Sequence, residues 1–194
     1  MTDFKIVYFL NQFGRGTIID NFTIIFSSTY FLVLLWLVIA FAILFFDKKN
    51  GKVIFFSLII AIAFHFILAE GLLKSKFFDF FELRQRPYLA YPDLISAVGQ
   101  KFTDSSFPSS HMSSTLVFFS VIFWYYRKYW PGILLFILVM AFCRMHQGMH
   151  YPTDAIFGSI LGIVCGVFGI LIGGNILRKK YGQNIKQKSK TLLK

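Results

Sequence analysis

The sequence predicts an all-α integral membrane protein, built as a bundle of five to six helices. Hydrophobic residues make up 56% of its 194 residues, including 26 Phe, whereas charged residues make up 15%. Average soluble domains carry roughly 25% charged residues, and a soluble core of this size cannot bury so many large apolar side chains. The composition therefore argues against a soluble enzyme and against a disordered chain. The 20 Lys and Arg residues are not spread over a polar face, so no nucleic-acid partner is expected.

Five apolar segments have about the length that a membrane helix needs. About 20 residues, each rising about 1.5 Å, cross a hydrocarbon core of about 30 Å. The five segments are residues 27–46, 53–73, 109–126, 131–146 and 155–177. Together they form the predicted membrane domain, residues 27–177, which is followed by a basic tail, residues 178–194.

Residues 1–26 are predicted to form an N-terminal interfacial segment. The apolar run at 4–13 is too short to cross a membrane and fits an amphipathic helix lying in the interface. Residues 18–26 either extend the first span or pack beside it, which makes a six-element bundle the alternative to five helices.

The fifth span carries a series of small residues that predicts close packing. Most of its glycines recur at four-residue steps, so they share a helix face and let neighbouring backbones approach. They are Gly158, Gly162, Gly166, Gly169 and Gly173.

Basic residues divide the loops into two sides. Loops 47–52 and 127–130, together with the tail, hold 12 basic residues and one acid, Asp47. Because Lys and Arg concentrate in cytoplasmic loops, we expect this side and the C-terminus to be cytoplasmic. Residues 1–26, 74–108 and 147–154 then face outward. The difference, 12 − 1, equals the net charge of +11, so the charge surplus sets orientation and carries no information about the substrate.

The outward side carries nearly all residues capable of chemistry, in three clusters. These are RQRPY at 84–88, DSSFPSSH at 104–111 and CRMHQGMHYPTD at 143–154. Ser109 and Ser110 precede an apolar helix in an N-cap pattern, and the free N–H groups of a helix start bind phosphate. Arg86 and Arg144 are permanent cations that can hold phosphate oxygens in bidentate fashion. The pattern therefore predicts a phosphate-binding site at the outer membrane–water interface.

The same clusters contain residues suited to phosphoryl transfer. His111 and His150 fit a scheme in which one imidazole attacks phosphorus and the other protonates the leaving oxygen. Asp154 follows His150 by four residues, close enough to orient an imidazole. His146, His150 and Asp154 also imitate a metal site, but no Glu or Cys completes the ligand set. We expect no metal and no other cofactor, and a metal-dependent hydrolase is kept as an alternative.

These residues resemble the signature of the type 2 phosphatidic acid phosphatase family of membrane lipid phosphatases. Its pattern is K-x6-R-P, then P-S-G-H, then S-R-x5-H-x3-D. Arg86-Pro87 matches the end of the first motif, and PSSH at 108–111 matches the second with Ser110 in place of Gly. The run from Arg144 to Asp154 has the spacing of the third motif, with Cys143 in place of Ser. Three motifs in order on one side of the membrane make the resemblance specific, and it extends over residues 27–177.

One position departs from the family pattern. The family lysine falls at position 79, which is Asp79 in this chain. Lys76, Lys74 and Arg84 lie near enough to supply an extra cation in its place. The small size and the second and third motifs look closest to the bacterial undecaprenyl-diphosphatase branch.

The resemblance implies a role for each site residue. His150 is the nucleophile that forms a phosphohistidine, Asp154 orients it, and His111 protonates the leaving group and then deprotonates the attacking water. The remaining motif residues hold the phosphoryl oxygens: Arg86, Arg144, Ser109 and Ser110.

The function implied is hydrolysis of a lipid phosphate or diphosphate in a bacterial inner membrane, with the active site facing the periplasm. The first expectation for the substrate is undecaprenyl diphosphate, giving undecaprenyl phosphate. Phosphatidylglycerophosphate, phosphatidic acid and lipid A are alternatives within the class. From another class, the chain fits a protein that binds or transports an anionic lipid on an inactive phosphatase scaffold. The expected partners are the lipid substrate and membrane lipids, and the residues predict no particular oligomeric state.

Overall fold

The computed structural model describes residues 2–73 and 84–192, with side chains described for 2–69 and 84–176. All regular structure in this part of the chain is helical, as predicted. The α-helices are α1 (Thr2–Gln12), α2 (Ile18–Phe26), α3 (Thr29–Phe46), α4 (Gly51–His65), α5 (Pro87–Ala90), α6 (Ser110–Tyr125), α7 (Trp130–His146) and α8 (Pro152–Leu192). A π-helix, Phe66–Leu73, continues α4, and a 3₁₀ turn, Arg127–Tyr129, precedes α7.

Four helical segments are long and apolar enough to cross a membrane. They are Thr29–Phe46, Gly51–Ala69, Arg127–His146 and Pro152–Ile176. The fifth helix of the bundle, α6, has 16 residues and a length of about 24 Å, and it packs against α8, α4 and α7. The five predicted spans therefore correspond to α3, α4, α6, α7 and α8, and the protein is a membrane protein. Beyond position 177, α8 continues through the basic tail to Leu192.

The core of the bundle forms where α8 meets α4 and α6. Gly162 lies against the carbonyl oxygen of Ser113 on α6, and Gly169 lies against that of Ser57 on α4. A Cβ at either glycine would overlap these backbone atoms. The predicted close packing is confirmed, and the glycine series serves two neighbours rather than one.

The two N-terminal helices pack against the end of the bundle that carries the three sequence motifs. Helix α1 contacts α7 and α8, and α2 contacts α7 and α3. Asn11 of α1 is fully buried and donates from Nδ2 to the carbonyl oxygens of Ser96 (2.9 Å) and His146 (2.7 Å). The N-terminal segment thus stabilises the C-terminal end of α7. The third sequence motif begins at this end of the helix and continues into the following loop.

A small second core holds the loop between α7 and α8. Tyr88, Ile95, Met149 and Tyr151 are all buried in it. Gly148 has a φ of 70°, which favours glycine, and a Cβ there would lie 2.9 Å from Ile95 and 3.0 Å from the carbonyl oxygen of Ser96. This packing fixes the backbone on both sides of position 150.

Candidate active site

His150 lies in the short loop between α7 and α8 and is 2% exposed. Its Nδ1 is 2.7 Å from the carbonyl oxygen of Ser106. Because a carbonyl oxygen only accepts, Nδ1 carries the proton of this hydrogen bond, and the neutral ring has its lone pair on Nε2. No hydrogen bond to Nε2 occurs within residues 2–69 and 84–176. The ring is therefore held in one tautomer with a nucleophilic nitrogen available.

Burial and positive charge both keep His150 neutral. Burial is the larger cause that holds the pKa of the imidazole well below its ordinary value, and the positive charges of Arg144, Arg86 and His111 lower this pKa further. The two arginines and the second histidine of the predicted site therefore lie near enough to His150 for their charge to act on its ring. At neutral pH the ring is an uncharged base.

Asp154 lies in the first turn of α8 and is fully buried. Its Oδ2 accepts a hydrogen bond from the backbone N–H of Tyr151 (2.8 Å) and lies 3.9 Å from Nδ1 of His150. The carboxylate is thus close enough to stabilise positive charge on the ring, whereas the hydrogen bond that orients the ring comes from Ser106. Sequence reasoning missed Ser106, because a backbone carbonyl leaves no signal in the residue type.

Arg84 is bound to carboxylates. Its guanidinium donates to Oδ1 of Asp154 (2.7 Å), to Oδ2 of Asp3 (3.0 Å) and to the hydroxyl of Thr153 (2.6 Å), and it lies 4.0 Å from the ring centre of Tyr151. This engagement argues against Arg84 as the extra phosphate-binding cation. It gives the buried Asp154 a counter-charge and links α1 to the start of α8. The other candidates, Lys74 and Lys76, and the departing Asp79 lie outside the described residues.

Arg86 and Arg144 are each 4% exposed, and each has a nitrogen without a partner. Arg86 donates to the carboxylate of Asp104 (2.7 Å) and to the carbonyl oxygen of Met149 (3.2 Å), and Arg144 donates to the side chain of Gln147 (2.8 Å). Both Nε atoms are buried without a hydrogen bond among the described residues. Because a buried unsatisfied donor of a charged group is costly, the two Nε atoms are candidate donors to the oxygens of an anionic ligand.

Ser109 is the N-cap of α6, as its sequence pattern predicts. Its hydroxyl accepts from the backbone N–H of Met112 (3.5 Å), and its own N–H donates to the carbonyl oxygen of Asp154 (3.1 Å). Ser110 and His111 are the first two residues of α6. The absence of a side chain at Gly158 lets α8 approach Ser109 at this point. The starts of α6 and α8 are thereby joined beside His150.

His146 has a different set of neighbours from His150. Its Nδ1 lies 3.1 Å from the hydroxyl of Thr23, and its Nε2 donates to the carbonyl oxygen of Phe13 (3.1 Å). The side chain therefore points into the N-terminal helices. Within the described residues, no three His, Cys, Asp or Glu side chains are grouped to hold a metal ion, so the H-x3-H spacing does not make a ligand set there.

Comparisons with known proteins place the chain within a family. The model of the PAP2 superfamily matches residues 54–177. The chain is 28% identical over 165 residues to the bacitracin transport permease protein BcrC of Bacillus licheniformis, covering 82% of this chain and 75% of that protein. It is 25% identical over 164 residues to the undecaprenyl-diphosphatase BcrC of Bacillus subtilis, covering 84% of this chain and 78% of that protein.

A solved structure shares the fold. The crystal structure of Aquifex aeolicus LpxE matches with a TM-score of 0.68 and 22% sequence identity, over 88% of this chain and 95% of that one. At this identity the likeness establishes a common architecture only.

Proposed function

Because the chain belongs to the PAP2 superfamily and is a lipid phosphatase, we propose that it converts undecaprenyl diphosphate to undecaprenyl phosphate through a phosphohistidine on His150. The observation that carries the proposal is the state of His150. The ring is buried, neutral and bonded through Nδ1 to Ser106, with Nε2 available and two under-bonded arginines around it. This combination suits attack on the terminal phosphorus of a diphosphate whose oxygens complete the hydrogen bonds of the arginines.

In the first step, Nε2 of His150 attacks the terminal phosphorus of the substrate. A nitrogen–phosphorus bond forms, the bond from phosphorus to the bridging oxygen breaks, and that oxygen takes the electron pair. His111 gives the bridging oxygen a proton, so the lipid phosphate leaves. The ring of His150 becomes positively charged, which the carboxylate of Asp154 at 3.9 Å stabilises. Arg86 and Arg144 neutralise the charge on the equatorial oxygens.

In the second step, water attacks the phosphorus of the phosphohistidine. His111, which lost its proton in the first step, now takes one from the water. The nitrogen–phosphorus bond breaks, its electron pair returns to Nε2, and inorganic phosphate leaves. His150 and His111 are then in their starting protonation states, so the cycle needs no further reactant.

The choice of substrate is supported by one relative. The Bacillus subtilis protein that matches over 84% of this chain is named an undecaprenyl-diphosphatase. Phosphatidylglycerophosphate, phosphatidic acid and lipid A also present a phosphate at the interface, and the arginines bind only that phosphate. They are the substrates against which the first choice is to be tested.

The proposed orientation places the active site on the periplasmic face of a bacterial inner membrane. It is supported by the 12 basic residues on the opposite side of the bundle. A reporter enzyme fused after Lys194 should be active in the cytoplasm. Activity of a periplasmic reporter at that position would reverse the orientation.

A second candidate function is transport or binding of an anionic lipid without chemistry. The Bacillus licheniformis relative is named a bacitracin transport permease, and this name is the observation that raises transport as an alternative. The two functions differ in a simple assay, because only an enzyme releases phosphate. The presence of both His111 and His150 beside the arginines supports the enzyme, since a binding protein needs no proton donor.

The decisive experiment is a phosphate-release panel with the purified full-length protein in detergent. The substrates are C55 diphosphate, phosphatidylglycerophosphate, phosphatidic acid and lipid A, each measured with a chelator and with added divalent ions. We expect the highest kcat/KM on C55 diphosphate, unchanged by chelation. A higher kcat/KM on another lipid would make that lipid, and not undecaprenyl diphosphate, the substrate. Loss of activity on chelation, restored by a divalent ion, would refute the metal-free scheme.

A further inference from the structure

We propose that the cavity beside His111 and Arg144 is a binding subsite for the phosphate that stays on the lipid. This inference rests on the proposed function and deepens it, because it assigns the enzyme to diphosphates rather than monophosphates. His150 receives the terminal phosphoryl group, and the cavity holds the second phosphate, which leaves still attached to the prenyl chain.

The cavity has the position that a leaving group requires. It encloses about 130 Å³, which is several times the space that one water molecule needs. Its lining includes His111 and Arg144 and the residues that join α2 to α3. Tyr30, which also lines the cavity, is 89% exposed at the start of the spanning helix α3. The cavity therefore lies between the predicted proton donor and the face of the bundle that meets the lipid.

The lining is complementary to an anion. None of its residues is acidic, and hydroxyl and amide groups from Ser27, Ser28, Thr29, Gln100 and Gln147 accompany the two basic side chains. A phosphate in this space meets hydrogen-bond donors from several directions and no carboxylate. A neutral ligand such as glycerol or a sugar carries no charge for Arg144 to neutralise.

The cavity also receives the N-terminus of α3. Ser28 is the N-cap of this 18-residue helix, and its side chain makes no capping hydrogen bond. The first N–H groups of a helix have no partners within the helix, and its dipole favours negative charge at this end. Ser28 and the first turn of α3 thus present a hydroxyl and free N–H groups to the cavity.

Arg144 supplies an independent indication of a ligand. It is 4% exposed, it lines the cavity, and its Nε is buried without a partner among the described residues. One guanidinium edge can bond the transferred phosphoryl group while Nε bonds the second phosphate. The bridging oxygen of a diphosphate then lies at the junction of the two sites, next to His111, which protonates it when the bond breaks.

Replacing Ser28→Leu tests the subsite by filling the cavity and removing the hydroxyl. The substrates are a prenyl diphosphate and the matching prenyl monophosphate, and the measured quantity is the ratio of their kcat/KM values. We expect the ratio to fall by about tenfold or more, the loss typical of a hydrogen bond to a charged group. Ser28→Ala, which removes only the hydroxyl, should lower the ratio less and guards against misfolding of the larger variant.

The matched control is Asn50→Leu. Asn50 is the N-cap of α4, at the other end of the bundle, and it also lacks a side-chain capping hydrogen bond. The control should keep the wild-type ratio. Equal losses on both substrates in the Ser28 variants, or no loss on either, would overturn the subsite.

A binding measurement separates the subsite from the proposed catalysis. The probes are a prenyl methylene-bisphosphonate and the matching prenyl phosphonate, neither of which can be hydrolysed. We expect the wild-type protein to bind the bisphosphonate at least about tenfold more tightly and Ser28→Leu to abolish the preference. Equal affinities in the wild type would overturn the subsite even if the enzyme is active. Absence of phosphate release with the preference intact would refute the proposed catalysis and keep the subsite.

Discussion

His146 and His150 are four residues apart and both are buried, yet their hydrogen bonds differ. His146, at the end of α7, has neighbours at both ring nitrogens, the hydroxyl of Thr23 and the carbonyl oxygen of Phe13. His150, in the following loop, bonds only through Nδ1, to the carbonyl oxygen of Ser106. One ring joins the N-terminal helices to the bundle. The ring of His150 keeps a lone pair on Nε2, close to positively charged side chains.

The difference distinguishes a histidine that stabilises the packing of the helices from the histidine that is proposed to react. The first histidine and its neighbour Gln147, which donates to the carbonyl oxygen of Thr23 (2.9 Å), tie the start of the loop to α2. Asn11 ties the same point to α1. Because these contacts fix the start of the loop, the ring of His150 keeps its position although only its Nδ1 is hydrogen-bonded. Preorganisation of this kind is what electrostatic catalysis requires.

The largest expected effect separates the two histidines by activity. His150→Gln should lower kcat on C55 diphosphate by at least about 10³-fold, because the nucleophile is lost. His146→Gln should keep activity within about tenfold of the wild type, because its ring contacts the N-terminal residues Thr23 and Phe13 and has no part in the proposed reaction. The comparison needs both proteins at equal thermal stability or below their transition temperatures. Similar losses of kcat in the two variants would contradict the distinction between a structural His146 and a nucleophilic His150.

The next effect concerns the counter-charge of Asp154. Arg84→Ala leaves a fully buried carboxylate without its cation, and we expect the free energy of unfolding to fall by about 3 kcal/mol. Arg84→Lys should recover part of this loss, since it restores the charge but not the fork that holds Asp3 and Asp154 together. Denaturant unfolding in detergent measures both. Unchanged stability in the alanine variant would show that the contact with Asp154 is energetically neutral.

A smaller effect tests the fastening role of His146. His146→Leu removes the hydrogen bond to Phe13 and the contact with Thr23, and we expect a loss of about 1–2 kcal/mol of stability. Hydrogen exchange should accelerate in α1 and α2 more than in α8, because only the N-terminal helices lose a contact. Uniform acceleration across the bundle would contradict this local role.

The smallest effect is a shift in titration. The pKa of His150 is lowered by burial and by the surrounding positive charges, so its ring should stay neutral as pH falls through its ordinary value of about 6.5. Protonation should occur only at lower pH, and a folded-state pKa below the unfolded one makes the native state less stable as pH falls below about 6.5. An NMR titration with labelled histidine, assigned with His150→Gln, measures the midpoint. A midpoint at or above 6.5 would contradict the described surroundings.

Much of the fold and of the composition of the site could be predicted from the sequence. The apolar segments predicted the bundle, and the motif spacing selected Asp154, which lies 3.9 Å from the ring of His150, and basic residues whose charge acts on that ring. The orienting contact of His150 could not be predicted, because Ser106 contributes a backbone carbonyl. The role of Arg84 was also hidden, since its carboxylate partners lie 70 and 81 residues away in the chain. The motif spacing selected His150 over His146, but the contacts of His146 could not be predicted, because they come from residues more than 120 positions earlier in the chain.

The most direct test of the account is to trap the covalent intermediate. Full-length protein is mixed with C55 diphosphate labelled in its terminal phosphate, quenched within one turnover, and digested for mass spectrometry. The account predicts an alkali-stable, acid-labile label on His150, which persists in His146→Gln and disappears in His150→Gln. A label on another residue, or full turnover by His150→Gln, would contradict the assignment of His150 as the nucleophile.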